Sequence, residues 1–335
     1  MEMEYRRLGN SGLKVSALSY GSWVTFSAQL DVSRAKEAMA VAYDYGVNFF
    51  DNAEVYANGE SERIMGEVLK ELGWPRDSYI VSSKVFWGSV RDPRPTQAGL
   101  SRKHVTEACH QALQRLQLDY LDLYFCHRPD YDTPIEETVR AMTDLIRQGK
   151  VLYWGTSQWS ARQLTEAYEI AYRHHLQPPT MEQPQYNMFY RELVEVEYEP
   201  LYRQYGMGTT IWSPLASGFL TGKYNEGIPE GSRVTLEGYD WLRRRLESEE
   251  GRLQLQKVRE LTALAEELGT NTARLAIAWT LKNPNVSTCI TGASRTDQIH
   301  DNMKALEVVE LLDDEVMARI EAILDNKPAG PTSNL

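Results

Sequence analysis

The chain has 335 residues, and its 47 aspartates and glutamates outnumber its 36 lysines and arginines for a formal net charge of −11. This acidity argues against binding to nucleic acid or to an anionic membrane surface, so a ligand with phosphate groups would need a locally basic pocket. The 3 cysteines are too few and too widely spaced for a disulfide framework, which predicts a reducing compartment. The first residues lack the apolar core of a signal peptide, and no apolar run is long enough to span a bilayer, so we expect a cytoplasmic protein.

The first predicted elements are a small hairpin and a buried strand. Residues 4–16 carry a Leu-Gly-Asn-Ser-Gly-Leu turn between two short runs, which predicts a hairpin that caps one end of the fold. Residues 17–21 predict the first buried strand, and from there apolar runs alternate with stretches of helical periodicity. Further strands are predicted in residues 47–56, 79–84, 121–127, 151–155, 180–183, 209–212 and 286–291.

The predicted helices begin at capping residues. Thr133 begins a capping box with Pro134 at the first helical position, and Ser160 begins a second box. Both patterns satisfy backbone N–H groups that a helix start leaves without partners. Helical segments are predicted after Asp31, after Glu60, in residues 101–117, after Ser248, after Asn271 and near Asp313.

Eight alternating strand and helix units favour a closed α/β barrel, the (β/α)8 TIM barrel, over an open sheet. The competing doubly wound nucleotide-binding sheet would show Gly-x-Gly-x-x-Gly directly after the first strand, and the sequence has no such motif there. We therefore predict one domain over residues 1–335. Residues 213–250 show the least periodicity and are predicted to form a long functional loop after the seventh strand, and residues 327–335 a frayed tail.

Three successive predicted strands end in ionisable side chains. Asp51 and Tyr56 stand at or just beyond the end of the second strand, Lys84 ends the third, and His127 ends the fourth. Strands joined by helical crossovers are parallel neighbours, so we expect these groups to converge on one rim of the barrel. In parallel α/β folds, the rim at the carboxyl ends of the strands is where the chemistry is placed.

An acid, a phenol, an ammonium group and an imidazole together suit the reduction of a carbonyl group. The ammonium group is expected to lower the pKa of the phenol from about 10 toward neutrality, so that the phenol can act as an acid. The carboxylate would keep the ammonium group charged, and the imidazole would orient the substrate oxygen. Because protein side chains cannot deliver hydride, a nicotinamide cofactor is implied.

Each of these residues taken alone also has an ordinary structural explanation. Asp51 could cap a helix, Tyr56 could be a packing residue, and Lys84 could be a solvated surface lysine. Their joint position at the ends of successive strands favours the catalytic hypothesis. Other groups are predicted to be structural or solvated: His174 and His175, which diverge on a helix and argue against a metal site, His104, His110 and His300, on helix surfaces or caps, and Cys126, which is expected to point into the helix layer.

Residues 46–66, which begin Gly-Val-Asn-Phe-Phe-Asp-Asn-Ala-Glu-Val-Tyr, resemble the signature of the aldo-keto reductases. More narrowly, the chain resembles the branch that contains the voltage-gated potassium channel beta subunits and their bacterial relatives. The resemblance runs from about residue 5 to residue 327, so it covers nearly the whole chain. Further motifs in the family's order lie at residues 100–104, 127–130, 153–157, 212–216, 222–224 and 292–294.

The resemblance implies that the barrel binds NADPH in an extended form at its carboxyl rim, with Tyr56 as the general acid and Asp51, Lys84 and His127 as its partners. Lys223 and Arg233 would hold the cofactor phosphates, including the one on the adenosine ribose. A helix N-terminus attracts phosphate through its free N–H groups, which agrees with a site near residue 294. The implied contacts with the rest of the cofactor are Trp23, Gln29, Asp51, Ser157, Gln158, Gln183, Trp212, Ser213, Pro214, Leu215, Ala216, Ser217, Gly292, Ser294, Gln298, Asp301 and Asn302.

Three differences from the channel subunits bear on function. Many of them carry asparagine in place of His127, and they usually carry arginine in place of Gln158, which puts one cofactor contact and the rate of cofactor release in question. We also expect no long segment before the barrel that could serve as an inactivating plug. Two hypotheses follow: an NADPH-dependent reductase of aldehydes and ketones, or an NADPH-holding sensor that docks on a potassium channel with little turnover. Relatives in this branch often form tetramers, so a homo-oligomer is expected.

Overall fold

A computed structural model describes residues 2–23, 31–230, 232–235 and 238–330. Within these residues, eight parallel strands close into a barrel, each hydrogen-bonded to its neighbours on both sides. This topology confirms the predicted (β/α)8 TIM barrel. In order around the barrel, the strands are β10 (Thr288–Thr291), β3 (Leu18–Gly21), β4 (Phe49–Asp51), β5 (Ile80–Val85), β6 (Leu121–Cys126), β7 (Val151–Thr156), β8 (Met181–Glu182) and β9 (Gly208–Ile211).

Helices surround the barrel and connect successive strands. Leucine, valine and alanine side chains on their inner faces pack against the outer surfaces of the strands. The helices are α1 (Val32–Asp44), α2 (Glu60–Leu72), α3 (Arg102–Leu116), α4 (Ile135–Arg147), α5 (Ala161–Arg173), α6 (Glu199–Tyr205), α7 (Asp240–Glu247), α8 (Glu249–Glu267), α9 (Thr272–Leu281), α10 (Thr296–Met303), α11 (Ala305–Val309) and α12 (Asp314–Leu324).

The amino-terminal hairpin closes one end of the barrel. Strands β1 (Tyr5–Arg7) and β2 (Lys14–Ser16) pair antiparallel, as predicted. Leu8 and Val15 of the hairpin are fully buried and belong to a cluster of inward-facing strand residues that includes Phe49 and Phe125. The hairpin therefore plugs the barrel with apolar side chains at the end opposite the strands' carboxyl ends, and the carboxyl rim is left as the open face.

Cys126 lies in the outer hydrophobic core, between the strands and the helices, which confirms the prediction. Burial raises the pKa of its thiol well above the ordinary value, so the reactive thiolate is suppressed. The residue therefore packs the interior, although it precedes a candidate catalytic residue in the chain.

The predicted capping box at Thr133 is wrong. Pro134 itself occupies the cap position of α4, and the Thr133 hydroxyl donates instead to Asp130 Oδ2 at 2.8 Å. The Thr133 hydroxyl is held by the Asp130 carboxylate, which also accepts from the Asp132 backbone N–H, and it makes no hydrogen bond with the start of α4. The second box is confirmed, since the side chains of Ser160 and Gln163 each accept a hydrogen bond from the other's backbone N–H.

Part of the segment predicted as a loop, residues 213–250, is helical. Helix α7 spans Asp240–Glu247 and buries Leu242 and Leu246, which are four residues apart on one face. A run with three apolar side chains, Trp241, Leu242 and Leu246, around three arginines gave too weak a periodic signal to be recognised in the sequence. The helices predicted after Ser248, Asn271 and Asp313 are confirmed, each with that residue as its cap.

Candidate active site

The carboxyl ends of three adjacent strands bring the predicted catalytic residues together. Asp51 is the last residue of β4, Lys84 lies near the end of β5, and His127 directly follows β6. Tyr56 lies on the turn Tyr56–Gly59, in which the two residues after it adopt positive φ angles. Residues in such sparsely populated conformations are often found at functional sites, because the surrounding structure must hold them there.

Lys84 connects the members of this cluster. Its ammonium group is fully buried and donates to Asp51 Oδ2 at 2.6 Å, to the Asn52 carbonyl oxygen at 2.7 Å and to the Tyr56 hydroxyl at 3.3 Å. Burial lowers the pKa of Lys84, while the Asp51 carboxylate opposes that effect. A buried ammonium group is tolerated only when it is paired and hydrogen-bonded, and all three of its N–H groups have acceptors here.

Asp51 is fixed by hydrogen bonds from neighbouring strands. Its Oδ1 accepts from the Ser82 hydroxyl at 2.7 Å and from Gln183 Nε2 at 3.1 Å. Gln183 also donates to the hydroxyl of Thr210 at 3.3 Å, so bonds from side chains on several strands support one carboxylate. The geometry of the Asp51–Lys84 pair is therefore set by the barrel before any ligand binds.

The pKa of Tyr56 departs from its ordinary value in the direction opposite to that expected from the sequence. Burial raises it well above 10.0, the Asp51 charge raises it further, and Arg128 lowers it. The prediction that Lys84 would bring this pKa toward neutrality is wrong for this structure. The physical reason is that the Asp51 carboxylate balances the lysine charge, which leaves burial as the dominant effect. The phenol therefore carries its proton at neutral pH.

His127 is a neutral hydrogen-bonding group beside Tyr56. Burial, followed by the charges of Lys84 and Arg128, lowers the pKa of its imidazole well below the ordinary value of 6.5. The ring centres of Tyr56 and His127 are 5.8 Å apart. Nδ1 of His127 is buried and has no hydrogen-bond partner among the described residues.

Tryptophan side chains form the walls around the cluster. The ring centre of Trp23 lies 6.5 Å from the ring centres of both Tyr56 and Trp212. The ring centre of Trp87 lies 4.7 Å from that of His127. Trp23 and Trp87 remain 44% and 39% exposed. Apolar walls with a few convergent polar groups are typical of small-molecule sites.

His104 is not a surface or capping residue, contrary to the prediction. It is buried, and its Nε2 lies 3.3 Å from Oε1 of the equally buried Glu54. The same carboxylate oxygen accepts from the backbone N–H groups of Phe86 and Gly88, at 2.8 and 2.9 Å. The pair supports the loop that carries Trp87. No local pattern could reveal it, because its partners are 50 residues apart in the chain.

Arg128 is the residue at this site whose importance the sequence did not reveal. Its guanidinium carbon lies 5.2 Å from the ring centre of Trp87 and 5.9 Å from that of Trp212. Its Nη1 donates to the His127 carbonyl oxygen at 2.5 Å and to the Ser157 hydroxyl at 3.3 Å. In the sequence, Arg128 was marked only by its position after His127 in a family motif. Its stacking on Trp87 and Trp212 could not be predicted, because the loops that carry these rings follow different strands.

The residues expected to contact the nicotinamide end of a cofactor lie beside the cluster. The hydroxyl of Ser157 donates to the carbonyl oxygen of Gln183 at 2.8 Å, at the ends of neighbouring strands. Gln158 has a positive φ of 59°, and its side-chain oxygen accepts from the Gln185 backbone N–H at 2.9 Å. The side chain of Gln158 is therefore engaged in holding the loop after β8.

Residues 212–217 follow β9 directly and fold over the rim. Ser213, Ala216 and Ser217 have positive φ angles of 56°, 48° and 60°. This left-handed conformation is costly for residues other than glycine and persists only where the surroundings impose it. Here Asn187 Nδ2 donates to the Ser213 carbonyl oxygen at 2.9 Å, and the Ser217 backbone N–H donates to the Ser213 hydroxyl at 3.3 Å. Pro214 and Leu215 lie inside the same turn.

The side chain of Lys223 packs against the turn at Gly218, just after residues 212–217. A Cβ atom added at Gly218 would lie 2.9 Å from Lys223 Nζ, so the ammonium group sits against the turn that follows residue 217. This places a positive charge beside the strained loop. Gln29 lies outside the described residues, and so does the side chain of Arg233, whose backbone begins the short helix Arg233–Thr235.

The other segment expected to bind the cofactor surrounds the start of α10. Within the described chain, a Cβ added at Gly292 would meet no atom within 4 Å, and α10 begins without a side-chain cap. Ser294 donates its backbone N–H to Gln298 Oε1 at 2.9 Å. Asn302 is buried on the same helix. Asp301 is engaged elsewhere, with hydrogen bonds from Arg274 and Asn271.

These features fit a cofactor that carries phosphate groups. The uncapped start of α10 presents N–H groups, the space beside Gly292 is open, and Lys223 supplies a cation in an acidic protein. No group of His, Cys, Asp and Glu side chains in the described ranges is arranged to hold a metal ion. None of the helices in those ranges is both long enough and apolar enough to cross a membrane.

The strand ends of the parallel barrel assemble a tyrosine, a buried lysine–aspartate pair and a histidine, which is the arrangement that the sequence predicted for a barrel oxidoreductase. Comparison with known proteins agrees. The model of the Aldo/keto reductase family matches residues 17–325, and the chain belongs to this family.

Two plant relatives are similar to almost the whole chain. The first, from Arabidopsis thaliana, is named a probable voltage-gated potassium channel subunit beta and is 54% identical over 332 residues, which is 99% of this chain and 99% of the relative. A protein of the same name from Oryza sativa subsp. japonica is 54% identical over 327 residues, 97% of this chain and 98% of the relative. The predicted resemblance to the aldo-keto reductases and to the channel beta subunits is thereby confirmed.

Proposed function

We propose that this protein reduces aldehydes or ketones to alcohols with NADPH and that Tyr56 is the general acid. The observation that carries the proposal is the buried hydrogen-bonded chain from Asp51 through Lys84 to the Tyr56 hydroxyl, with links of 2.6 and 3.3 Å. This chain ends at an ionisable hydroxyl on the open rim of the barrel. It supplies a proton at a fixed point and a neighbouring cation for the anion that the transfer leaves behind.

The protonated phenol of Tyr56 suits the role of a proton donor. When bound, the reduced nicotinamide would supply hydride to the carbonyl carbon. As the π electrons move to the carbonyl oxygen, that oxygen becomes strongly basic and takes the Tyr56 proton. Lys84, at 3.3 Å, stabilises the resulting phenolate, and Asp51 keeps Lys84 charged. Solvent then returns a proton to the phenolate, so one hydride and one proton convert each carbonyl into an alcohol.

His127 positions the carbonyl oxygen beside Tyr56. Its lowered pKa leaves the imidazole neutral, so it donates one hydrogen bond without competing with Tyr56 as the acid. The Trp23, Trp87 and Trp212 rings present apolar surface to the substrate.

The cofactor would lie from the strand ends to α10. We assign the nicotinamide end to Ser157 and Gln183, next to Asp51, and the phosphates to Lys223 and the start of α10. The charge of Lys223 supports a preference for NADPH over NADH. The same assignment extends to the remaining residues that the family resemblance implies, including Trp212, Gly292, Ser294, Gln298 and Asn302.

The test is turnover with a chemically varied panel. Purified protein is incubated with NADPH and with aromatic aldehydes, methylglyoxal or glyceraldehyde 3-phosphate, and the absorbance of the reduced cofactor is followed while the alcohol is quantified. We expect one alcohol for each NADPH consumed. If every carbonyl compound in the panel left NADPH unchanged, the reductase proposal would be rejected.

A second candidate function is a channel-associated subunit that binds NADPH and turns over little. The names of the two plant relatives favour it. It predicts co-purification with the cytoplasmic part of a potassium channel together with very slow exchange of NADPH. Fast exchange and repeated turnover without channel binding would favour the reductase. Assembly into a homo-oligomer, with four copies favoured by the family resemblance, is a related prediction that light scattering can measure.

A further inference from the structure

The guanidinium group of Arg128 is a half-buried cation at the mouth of the site. It lies between the rings of Trp87 and Trp212, at 5.2 and 5.9 Å, and is anchored through Nη1 to the carbonyl oxygen of His127. Its position is therefore fixed by a residue that directly flanks Tyr56. A cation held this close to the reacting groups requires an anionic partner, which either the protein or a ligand must supply.

Within the described residues, no carboxylate lies within ion-pair distance of Arg128. Other buried arginines of this chain do have such partners: Arg115 pairs with Glu62 at 2.6 Å, and Arg191 pairs with Glu195 and Glu321 at 2.9 and 2.7 Å. A buried charge is normally compensated in this way, because desolvation without a partner is costly. Arg128 differs from these two arginines, and it resembles the partly buried Arg245, which also stacks on aromatic rings without an ion pair among the described residues.

Arg128 also has unused donors. A guanidinium group has five N–H bonds, and in the described part of the structure only Nη1 makes hydrogen bonds, to the His127 carbonyl oxygen and to the Ser157 hydroxyl. The fork of Nε and Nη2 matches the two oxygens of a carboxylate. Since the flanking groups are flat indole rings, a planar anion fits better than a bulky one.

We propose that Arg128 makes the pocket selective for carbonyl substrates that also carry a carboxylate group. The carboxylate binds to the free edge of the guanidinium group while the carbonyl oxygen faces Tyr56 and His127. Trp87 and Trp212 cover the flat body that joins the two ends of the substrate. This inference rests on the proposed reductase function and adds to it the chemical class of the substrate.

The selectivity can be measured by turnover. The substrates are ortho-, meta- and para-carboxybenzaldehyde, each compared with its own methyl ester, which has the same shape without the charge. For the best isomer we expect the acid to exceed the ester about 10-fold in kcat/KM, mainly through KM, as one charge-assisted hydrogen-bond pair allows. The three isomers should differ, because the distance from the guanidinium group to Tyr56 is fixed.

Variants separate a selective role from a structural one. In Arg128→Met the ratio of kcat/KM for acid to ester should fall to about 1, while Arg128→Lys should keep part of the preference because it keeps the charge. Arg203→Met removes one positive charge from an exposed ion pair on α6 and should leave the ratio unchanged. If Arg128→Met lowered the kcat/KM of acid and ester by the same factor, Arg128 would be a structural residue and the inference would be overturned.

A binding measurement does not depend on turnover. Benzoate and its neutral analogue benzamide are titrated into wild-type protein and into Arg128→Met, each with NADP bound, and followed by tryptophan fluorescence, which Trp87 and Trp212 should report. We expect benzoate to bind about 10-fold more tightly than benzamide in the wild type only. Arginine-dependent benzoate binding without any aldehyde turnover would reject the reductase function but retain the anion site. Turnover of the esters with equal binding of benzoate and benzamide would reject the anion site alone.

Discussion

The cluster at the strand ends and the segments expected to hold the cofactor are built in different ways. In the cluster, the Lys84 ammonium group and the Asp51 carboxylate are buried on strands and hydrogen-bonded to each other and to their neighbours. Residues 212–217 form a loop with positive φ angles, and α10 starts without a side-chain cap among the described residues. The Asp51–Lys84 pair in the first region is fully hydrogen-bonded without a ligand, whereas the second region presents groups that a ligand would satisfy. The rate of proton transfer should therefore fall sharply when a single atom of the cluster is removed. Cofactor affinity should fall less when a single contact of the cofactor segments is removed.

Tyr56→Phe should have the largest effect on the reaction. It removes one oxygen atom from the cluster, and loss of a positioned general acid lowers rates by about 10²- to 10⁴-fold. The measurement is kcat/KM for a neutral aldehyde, together with the dissociation constant of NADPH, which should change less than threefold. Tyr131→Phe is a matched control, because Tyr131 is 87% exposed and its variant should behave as the wild type. A fully active Tyr56→Phe protein would refute the assignment.

Lys84→Met should have the largest effect on stability. It leaves the Asp51 carboxylate buried without its ion-pair partner, and breaking a buried pair in this way costs about 3 to 5 kcal/mol. The free energy of unfolding in urea measures the loss. The double variant Asp51→Asn, Lys84→Met should recover part of it, because no uncompensated charge remains. Equal stability of wild type and Lys84→Met would mean that the pair is not buried as described.

These contrasts also show how much of the site can be predicted from the sequence. Asp51, Lys84 and His127 were recognisable because an ionisable residue at the end of an apolar run must lie on the rim of a parallel barrel. The stacking of Arg128 was not recognisable, because it depends on where separate loops meet. The direction of the Tyr56 pKa was missed for a related reason, since burial is a property of the packed barrel and outweighs a charge that a neighbour already balances.

Lys223→Ala should weaken the preference for NADPH. Loss of one charged contact with a phosphate corresponds to roughly 1.5 to 3 kcal/mol, so the ratio of the NADH and NADPH dissociation constants should fall about 10-fold or more. Lys70→Ala removes a comparable charge from the exposed end of α2 and serves as the control. An unchanged ratio in Lys223→Ala would place the ribose phosphate elsewhere.

Glu182→Gln should change the pH dependence of stability. Burial raises the pKa of the Glu182 carboxyl from 4.5 to about 8, and the Thr156 hydroxyl donates to it. Because the folded value lies above the unfolded one, the contribution to stability is fully present below pH 4.5 and is lost as the pH rises through about 8. The variant cannot ionise, so at alkaline pH it should gain about 1 to 3 kcal/mol over the wild type. Parallel unfolding curves for both proteins across this range would contradict the assignment.

The pH profile of reduction should show the smallest change. The lowered pKa of His127 and the raised pKa of Tyr56 leave both groups in their active forms between their ordinary values, 6.5 and 10.0. We expect kcat/KM for a neutral aldehyde to be flat above pH 6.5 and to fall only at the alkaline end of that interval, where Lys84, whose pKa burial lowers, loses its charge. A decline centred near neutral pH would show that the charge balance at the cluster differs from the one described.

The most direct test of Tyr56 as the acid is a single turnover of protein preloaded with NADPH and mixed with an aldehyde. The rate is measured with deuterium at the transferred position of the cofactor and, separately, in heavy water. For the wild type we predict that both substitutions slow the reaction, because hydride and the Tyr56 proton move together, and that Tyr56→Phe loses most of the rate. A wild-type rate in Tyr56→Phe with an unchanged heavy-water effect would show that the proton comes from another group.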